Sequence, residues 1–322
     1  MVNHTGSSRG LLARLRRRWR QRDLVTVCVP AYNAAAFIAE TLQAISAQTY
    51  RNIQVLISLD PSDDHTEQAC GPFLADQRFT LIRQPARLGW PGNVNYLLDQ
   101  VRSGYYCIIF HDDVPDADYV ARLMRCLHRS PALVCAYPVL KRFGDDPTQT
   151  SIASLEGDDR FDRGLGFFAR PLNAVAIRGV TRAEALHRGL RLRELGTGGF
   201  LAEMLYVFEL ALIGRCKRVG RASYYRRHRR DSVSKGWRAW EPDRKRAGWR
   251  CLLRELNAMI VQQGFSEQQR TALLEAALPW AYQLEGWLPA HPAERAAIAD
   301  PVRRASLTRA WTEDPAGNPP FL

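Results

Sequence analysis

Strand-like and helix-like segments alternate over the first third of the chain, and this alternation constrains the fold more than any other feature. Runs rich in apolar and β-branched residues recur at Leu24–Val29, Ile53–Leu59, Phe79–Arg83 and Tyr105–Phe110. Segments of helical character separate them, at Ala34–Ala47, Thr66–Leu74 and Gly92–Arg102. Strands separated by helices of this length predict a parallel sheet with helices on both faces.

Polar residues follow three of these predicted strands directly. They are Tyr32-Asn33, Asp60-Pro61-Ser62 and His111-Asp112-Asp113. In open parallel sheets, ligands bind at the carboxyl ends of the strands, so the sequence predicts a binding site there. Adjacent carboxylates repel each other unless a cation compensates, and hard oxygen ligands suit Mg²⁺ or Mn²⁺ bound to phosphates. The alternative is that Asp112 or Asp113 only caps a helix beginning near Asp116.

The second half of the chain is less regular. The pattern predicts a helix at Ala117–His128, a strand at Leu133–Leu140, helices at Glu184–Gly189 and Gly199–Ile213, and a short strand at Arg218–Tyr225. Residues 141–175 lack periodicity, and we expect a flexible active-site loop there. Beyond about residue 236 the chain becomes helical and rich in tryptophan. We therefore divide the chain into a basic segment (1–23), a catalytic domain (24–235) and a helical C-terminal extension (236–322).

Composition narrows the class of protein. With 46% hydrophobic and 24% charged residues, the chain is neither disordered nor collagen-like. The seven cysteines form no CxxC pair, which favours reduced thiols over a disulfide framework or a zinc site. No apolar run reaches the roughly 20 residues that span a bilayer, and the N-terminus lacks the apolar region of a secretory signal. We expect a cytoplasmic protein, peripheral at the inner face of the membrane.

The net charge of +12 favours anionic partners. Residues 1–22 contain seven arginines, and Leu11, Leu15 and Trp19 recur every four residues among them. On a helix these three side chains share one face, so the segment is suited to lie on an anionic membrane surface. The alternatives are a helix packed on the domain and a frayed terminus. No zinc finger or RNA-recognition motif is present, and we expect no nucleic-acid partner.

Taken together, the motifs resemble those of family 2 glycosyltransferases over about residues 24–235. Pro30-Ala31-Tyr32-Asn33 matches the family's opening motif, and Asp60 through Thr66 matches its second motif with Pro61 in place of Gly. Gly89 and Asn95 match the third motif, and His111-Asp112-Asp113 matches the metal motif, Asp-x-Asp or a shortened form of it. The resemblance implies the GT-A fold, an α/β fold with a mostly parallel, Rossmann-like sheet flanked by helices.

The resemblance also implies roles for individual residues. The residues expected to bind a nucleotide-diphospho-sugar are Pro30, Tyr32, Asn33, Asp60, Arg87, Gly89, Asn95, His111 and Asp112. The residues expected to hold Mg²⁺ or Mn²⁺ are Asp112, Asp113 and His228, the last in an Arg-x-His-like element. As a lone histidine in a basic run, His228 is otherwise a solvated surface residue.

The catalytic base of the family is the Asp of a Glu-Asp pair that opens a helix. Here Ala202-Glu203 occupies that position, so the first acid is absent and Glu203 is the expected base. A carboxylate near a helix N-terminus tends to stay ionised, which suits a proton acceptor. The alternative is that Glu203 only balances the charge of the helix start.

The resemblance thus implies an inverting, metal-dependent, hexosyltransferase-like enzyme, which we expect to act in cell-surface polysaccharide or glycoconjugate synthesis. Its expected partners are a nucleotide-diphospho-sugar donor, such as a UDP-sugar, and a carbohydrate or lipid-linked acceptor. The alternative is a sugar-nucleotide-binding or nucleotidyltransferase protein on a related fold. That alternative requires a glycine-rich phosphate loop after the first strand, where this chain has Pro30-Ala31-Tyr32-Asn33-Ala34.

Overall fold

The fold is built on one mixed sheet flanked by helices. The computed structural model describes residues 23–144, 149–150, 154–170, 174–229, 232–282 and 292–312. The strands of the described residues are β1 (Val25–Ala31), β2 (Ile53–Leu59), β3 (Phe79–Arg83), β4 (Tyr105–Ile108), β5 (Val114–Pro115), β6 (Leu133–Gly144), β7 (Gln149–Thr150), β8 (Val180–Arg182) and β9 (Arg215–His228). Their order across the sheet is β3-β2-β1-β4-β8-β6-β9-β5, with β7 paired to β6.

The predicted parallel sheet is present in the first half. Strands β1, β2, β3 and β4 pair in parallel, and every residue of β1 is buried. Beyond β4 the sheet is mixed, because β8 runs antiparallel to both β4 and β6 while β6 and β9 pair in parallel. Strands β1, β4, β6 and β9 therefore run in one direction, and their carboxyl ends share one edge of the sheet. The fold class predicted from the sequence is confirmed.

Helices pack on the sheet, and further helices follow it toward the C-terminus of the chain. They are α1 (Ile38–Ser46), α2 (Thr66–Cys70), α3 (Gly89–Asp99), α4 (Tyr119–Arg129), α5 (Arg160–Phe168), α6 (Glu184–His187), α7 (Ala202–Ile213), α8 (Val233–Arg238), α9 (Pro242–Gln262), α10 (Glu267–Ala281), α11 (Pro292–Ala299) and α12 (Pro301–Thr312). Short 3₁₀ helices occur at Gly71–Ala75 and Val175–Arg178. Almost every residue of α7 is buried, because the sheet lies on one side of it and the C-terminal helices on the other.

The C-terminal helices share the core with the sheet. Trp249 of α9 and Trp280 of α10 are buried, with their ring centroids 5.8 Å apart. Trp249 also contacts Phe200, which precedes α7, at 6.0 Å. Buried aromatic side chains contribute much apolar area, so these helices support the segment that carries Glu203.

The expected flexible loop at 141–175 differs from the structure where the structure describes it. Strand β6 continues to Gly144, and α5 begins at Arg160. The side chain of Asp159, its N-cap residue, accepts a hydrogen bond from the backbone N–H of Asp162. Phe167 and Phe168 of α5 pack on Phe208 of α7. The sequence analysis did not detect α5 because two glycines interrupt its amphipathic face. One of them, Gly164, lets α5 approach α10 closely. Residues 145–148, 151–153 and 171–173 lie outside the described residues.

The sequence analysis predicted reduced cysteines and no membrane-spanning segment, and the structure bears on both. All seven cysteines are free thiols, and five of them are buried. Among the described residues, no helix combines the length and the apolar character that crossing a membrane requires. The predicted N-terminal helix with Leu11, Leu15 and Trp19 lies outside the described residues.

Candidate active site

The loops after β1 and β2 are joined to each other by side-chain hydrogen bonds. Asn33, in the left-handed region at φ 42°, donates its backbone N–H to Ser62 Oγ at 3.1 Å. Its Oδ1 accepts the backbone N–H of Asp63 at 3.0 Å. Asp64 accepts the N–H of Ala35 at 2.9 Å. Asn33 was predicted to bind the donor, and the structure places it as a connection between these two loops.

Asp60 anchors the next loop at the start of α3. Its carboxylate is buried and accepts the backbone N–H groups of Leu88 at 3.1 Å and Gly89 at 3.0 Å. Burial raises the pKa of Asp60, while these two hydrogen bonds and the charge of Arg87 oppose the rise. Gly89 has φ 71°, which few other residues adopt. The loop that carries Arg87 is therefore fixed against the end of β2.

Half-buried Tyr32 and exposed Arg87 form one surface above this edge of the sheet. The Arg87 guanidinium carbon lies 4.0 Å from the centroid of the Tyr32 ring, in a cation–π contact. The carbonyl of Pro30 accepts a hydrogen bond from Nδ1 of His111 at 3.2 Å, so the ends of β1 and β4 are joined as well. The predicted donor-binding residues of three different loops thus lie at one edge.

The side-chain amide of Asn95 binds the segment that precedes α7. Its Nδ2 donates to the carbonyl of Leu192 at 2.8 Å, and its Oδ1 accepts the Leu192 N–H at 2.9 Å. Both ends of the amide are therefore occupied by the backbone of the segment before α7. Asn95 therefore joins α3 to that segment, and its predicted role in donor binding stays a prediction.

Asp113 is the more deeply buried carboxylate of the pair after β4. Only 1% of the residue is exposed, and its oxygens accept Nε of Arg178 at 3.2 Å and the N–H of Arg227 at 3.1 Å. Burial raises the pKa of Asp113, and the charge of Arg178 opposes the rise. Asp113 therefore holds β4, β9 and Arg178 together, and its predicted role as a metal ligand stays a prediction.

Asp112 is the more accessible carboxylate. Its side chain is 19% exposed, and its Oδ2 lies 3.5 Å from Nε of Arg229. Arg227 donates to the Asp112 carbonyl at 3.2 Å. His228 lies between these two arginines at the end of β9, opposite Gly144 of β6.

The predicted metal set was Asp112, Asp113 and His228. Within the described residues, no three His, Cys, Asp or Glu side chains are grouped as a metal site. Magnesium in phosphate-transferring sites is held by one or two carboxylates together with substrate phosphates, without an all-protein cage. A hard cation therefore fits Asp112, the more accessible carboxylate, together with a diphosphate. The oxygens of Asp113 are already engaged by Arg178 and by the N–H of Arg227.

Glu203 lies at the second position of α7, as predicted. Helix α7 follows Leu201, which has φ 52°, and Gly199, which has φ 76°. A Cβ on Gly199 would lie 2.2 Å from Nε1 of Trp90, so only glycine fits this close approach. Trp90 thereby fixes the turn that presents Glu203.

The Glu203 carboxylate has one unused oxygen and a raised pKa. Its Oε2 is buried and has no hydrogen-bond partner among the described residues. Burial raises the pKa of Glu203, in contrast to the expectation from its helix position; its own N–H and the charges of Arg226 and Arg178 oppose the rise. A buried carboxylate with a raised pKa and an unused oxygen is typical of a general base.

Arg178 and Arg226 are the functional residues that sequence analysis missed. Arg178 pairs with Asp113 and lies over the ring of Phe110 at 4.8 Å. Arg226 is mostly buried beside Glu203, Asp113 and Arg178, and burial lowers its pKa. Its position in a basic run of β9 was visible in the sequence, but nothing there distinguished it from the exposed arginines. Arg178 ends a 3₁₀ helix and carried no sequence signal.

A cavity of about 440 Å³ opens beside the turn before α7. Its walls include Gly196–Gly198, Trp237 and Trp240. Thr197 also lines it, and its buried hydroxyl has no hydrogen-bond partner among the described residues. The volume is within the range of small-molecule sites, roughly 300–1,000 Å³.

Residues 26–179 match the sequence profile of Glycosyl transferase family 2. The chain carries a family 2 glycosyltransferase domain. Among curated relatives, the glycosyltransferase GlyG of Streptococcus pneumoniae is 26% identical over 111 residues, or 34% of this chain and 37% of the relative. An uncharacterized glycosyltransferase of Rickettsia typhi is 24% identical over 163 residues, or 49% of each chain. The chain thus spans about half or less of the length of these relatives.

Solved structures support the GT-A fold for this domain, and their similarity extends over most of the rest of the chain. Residues 1–349 of S. aureus TarS, in complex with UDP-GlcNAc, match with a TM-score of 0.67 at 15% identity, over 90% of this chain and 84% of that one. The mannosyltransferase PcManGT of Pyrobaculum calidifontis, in complex with GDP-Man and Mn²⁺, matches with a TM-score of 0.52 at 16% identity, over 94% and 95%.

Proposed function

We propose that this protein is an inverting glycosyltransferase that moves a sugar from a nucleotide-diphospho-sugar to an acceptor hydroxyl. The observation that carries the proposal is the Glu203 carboxylate, buried at the start of α7 with one oxygen unused. Its neighbours Arg226 and Arg178 favour the ionised form that a base requires.

In the proposed step, Glu203 accepts the proton of the acceptor hydroxyl. The hydroxyl oxygen attacks the anomeric carbon as the bond from that carbon to the diphosphate oxygen breaks. The nucleoside diphosphate leaves with the electron pair of that bond. The acceptor enters through the cavity lined by Thr197, Trp237 and Trp240, since this cavity adjoins the turn before Glu203.

The donor lies along the edge formed by the loops after β1 and β2. Tyr32 and Arg87 present a flat aromatic and cationic surface for the nucleotide. Asp112 would hold Mg²⁺ or Mn²⁺, which neutralises charge on the diphosphate when it is bound. Arg229, whose Nε lies 3.5 Å from Asp112 Oδ2, and its chain neighbour His228 would donate to phosphate oxygens.

The biological setting is proposed by analogy. Structural neighbours were solved with UDP-GlcNAc and with GDP-Man, so either nucleotide class is a candidate donor. We propose a role in cell-surface polysaccharide or glycoconjugate synthesis with a carbohydrate or lipid-linked acceptor. We further propose a cytoplasmic protein whose arginine-rich residues 1–22 attach it peripherally to an anionic membrane.

The first experiment is a thermal-shift screen of nucleoside diphosphates and sugar nucleotides, with Mn²⁺ and with chelator. A ligand that binds the folded state raises the melting temperature. We expect one nucleotide class to do so, more strongly with Mn²⁺, and we expect Asp112→Asn to abolish the metal-dependent part. Equal affinity with and without chelator in calorimetry would remove the cation from the proposal, and no shift with any nucleotide would reject it.

A further inference from the structure

A second cavity, of about 480 Å³, lies between α4 and the first part of β9. Its volume is within the range of small-molecule sites. Of the ten described residues that line it, six are basic, none is acidic and none is aromatic. These six, which we call the basic cup, are Arg122, Arg125, Arg129, Lys217, Arg218 and Arg221.

Helix α4 contributes three of the six cations. Arg122, Arg125 and Arg129 are spaced by three and four residues, so they share one face of the helix. The buried residues of α4 are Tyr119, Val120, Leu123, Met124 and Leu127. The side of α4 that packs on the sheet is therefore apolar, and the side that faces the cavity is cationic.

Strand β9 contributes the other three cations at an irregular part of the sheet. Arg218 lies opposite Tyr137 of β6, but Ser223 lies opposite Val139. Strand β6 advances by two residues between these pairs, whereas β9 advances by five. The extra residues of β9 form a bulge that interrupts the pairing, and exposed Arg221 lies in this bulge.

The charges of the basic cup are only partly balanced. Two of its members form ion pairs with carboxylates outside the cavity: Arg122 with Asp118 at 2.5 Å, and Lys217 with Glu156 at 3.4 Å. Arg125, Arg129 and Arg221 are exposed and form no ion pair with a carboxylate in the part of the chain that the structure describes. Like charges held together in this way favour an anionic ligand.

The basic cup is separate from the candidate active site. It lies toward the start of β9, whereas Arg227 and His228 lie at the end of that strand, about six residues or roughly 20 Å away. An anion in the basic cup therefore does not reach the edge of the sheet where we propose that the donor binds.

The residues of the basic cup favour phosphate over other anions. The planar guanidinium group of arginine donates two parallel N–H groups to a phosphate or a carboxylate. A phosphate group carries about two negative charges at neutral pH, so two phosphate groups balance the three arginines that lack a carboxylate, and two carboxylates do not. The described lining has no aromatic ring on which a nucleobase could stack.

We propose that the basic cup is a binding site for a compact anion that carries two or more phosphate groups. The helix on one side and the bulged strand on the other limit the size of the ligand, and the arginines of both elements bind its phosphate oxygens. Inorganic tripolyphosphate is a simple member of this class and serves as the probe. This inference does not depend on the proposed sugar transfer.

The first measurement is calorimetric titration of the full chain with tripolyphosphate in the presence of a chelator. The triple variant Arg125→Gln, Arg129→Gln and Arg221→Gln should bind the anion about tenfold more weakly, because three modest exposed ion pairs are lost. The matched control removes the same charge from exposed positions of α9 and α12 and should bind as the unmodified chain does; it is Arg250→Gln, Arg303→Gln and Arg309→Gln. Both triple variants should keep the melting temperature of the unmodified chain, since all six side chains are exposed.

The second measurement uses Cys126, which lines the same cavity, and needs no variant. Cys126 and Cys251 of α9 are the two half-buried thiols, and the other five cysteines are buried. A bound anion covers Cys126, so tripolyphosphate should slow its alkylation by N-ethylmaleimide severalfold. Alkylation of Cys251 should not change. Mass spectrometry of the two peptides follows both thiols in one sample.

Three results would overturn the proposal. The first is equal affinity of the two triple variants for tripolyphosphate, and the second is equal alkylation of Cys126 with and without the anion. The third is protection of Cys126 by orthophosphate at the same concentration as by tripolyphosphate, which would exclude a ligand with several phosphate groups. Tighter binding of duplex DNA than of tripolyphosphate, with the same protection of Cys126, would assign the surface to a nucleic acid instead.

Discussion

The loops that follow β1 and β2 and the turn that precedes α7 use their polar side chains in opposite ways. In the loops, Asn33 and Asp60 both bind the backbone N–H groups of neighbouring segments. At the turn, Thr197 and Glu203 each keep a buried oxygen without a hydrogen bond in the described part of the chain. Buried polar atoms are nearly always hydrogen-bonded in folded proteins, so these two oxygens are free to accept or share a hydrogen bond with a proposed substrate.

The same contrast separates the two carboxylates nearest to Arg226. Asp113 is satisfied by Arg178 and by the backbone of Arg227, whereas Glu203 is oriented by the turn but not satisfied. Asp113 thus serves the scaffold, whereas Glu203 keeps one oxygen available for the proposed proton transfer. The predictions below test this division.

The largest expected effect is on turnover in Glu203→Gln. Glutamine keeps the size and polarity of the side chain but cannot accept a proton, so turnover should fall by about 10²–10⁴. Nucleotide affinity should persist because Glu203 lies outside the donor loops. The measurement is nucleotide release in the presence of acceptor, with calorimetry of the nucleotide as the control. Turnover near that of the unmodified chain would move the base elsewhere, with Glu209 the next candidate.

The next effect is on stability in Asp113→Asn. Removing one charge of a buried ion pair leaves the other uncompensated, which costs about 3–5 kcal/mol. We therefore expect the free energy of unfolding in urea to fall by about 3 kcal/mol, with Arg178 left buried beside Arg226. Asp112→Asn is the matched control, because Asp112 is partly exposed and should cost less than about 1 kcal/mol. Equal stability losses would show that Asp113 is not the scaffold member of the pair.

Much of the fold followed from the sequence. Strands Ile53–Leu59 and Phe79–Arg83 have the predicted bounds, because apolar runs between clear turn residues leave little freedom in register. Helix α5 did not follow, since its pattern becomes apparent only when Phe208 and the C-terminal helices surround it. The local sequence pattern predicts the regular strands and helices, whereas tertiary packing determines the structure of the less regular segments between them.

The site followed only in part. Glu203 was recoverable because a motif and a helix start coincide there, whereas Arg178 and Asp113 are 65 residues apart and meet only in the folded chain. Donor-loop residues were located correctly at the strand ends, but the sequence did not distinguish a ligand-binding amide from a scaffold amide. Asn95 illustrates the difference, since its partner Leu192 is 97 residues away.

Asn95→Ala tests the scaffold side of the comparison. The substitution removes two hydrogen bonds and leaves the backbone N–H and carbonyl of buried Leu192 without their partner. An unsatisfied buried polar group costs about 1–3 kcal/mol, so the free energy of unfolding should fall by about 2 kcal/mol. Nucleotide affinity measured by calorimetry should not change. A loss of affinity without a loss of stability would return Asn95 to the donor site.

The smallest effect is expected in Arg226→Gln, which tests how Glu203 is kept ionised. The positive charge of Arg226 lowers the pKa of Glu203 against the effect of burial, so its removal should raise that pKa further. The base acts only when ionised, and its rate is lost as pH falls through its pKa. The acid limb of the pH–rate profile should therefore move to higher pH, with turnover severalfold lower at acidic pH and nearly unchanged at alkaline pH.

The conservative variant Arg226→Lys separates this charge effect from a packing effect. Lysine keeps the positive charge but not the planar guanidinium, so the acid limb should stay near its original position if charge is what matters. An acid limb that is unmoved in Arg226→Gln, together with weaker nucleotide binding, would instead place Arg226 on the diphosphate. Glu203 and Arg226 would then serve different substrates, and the buried cluster would not act as one unit.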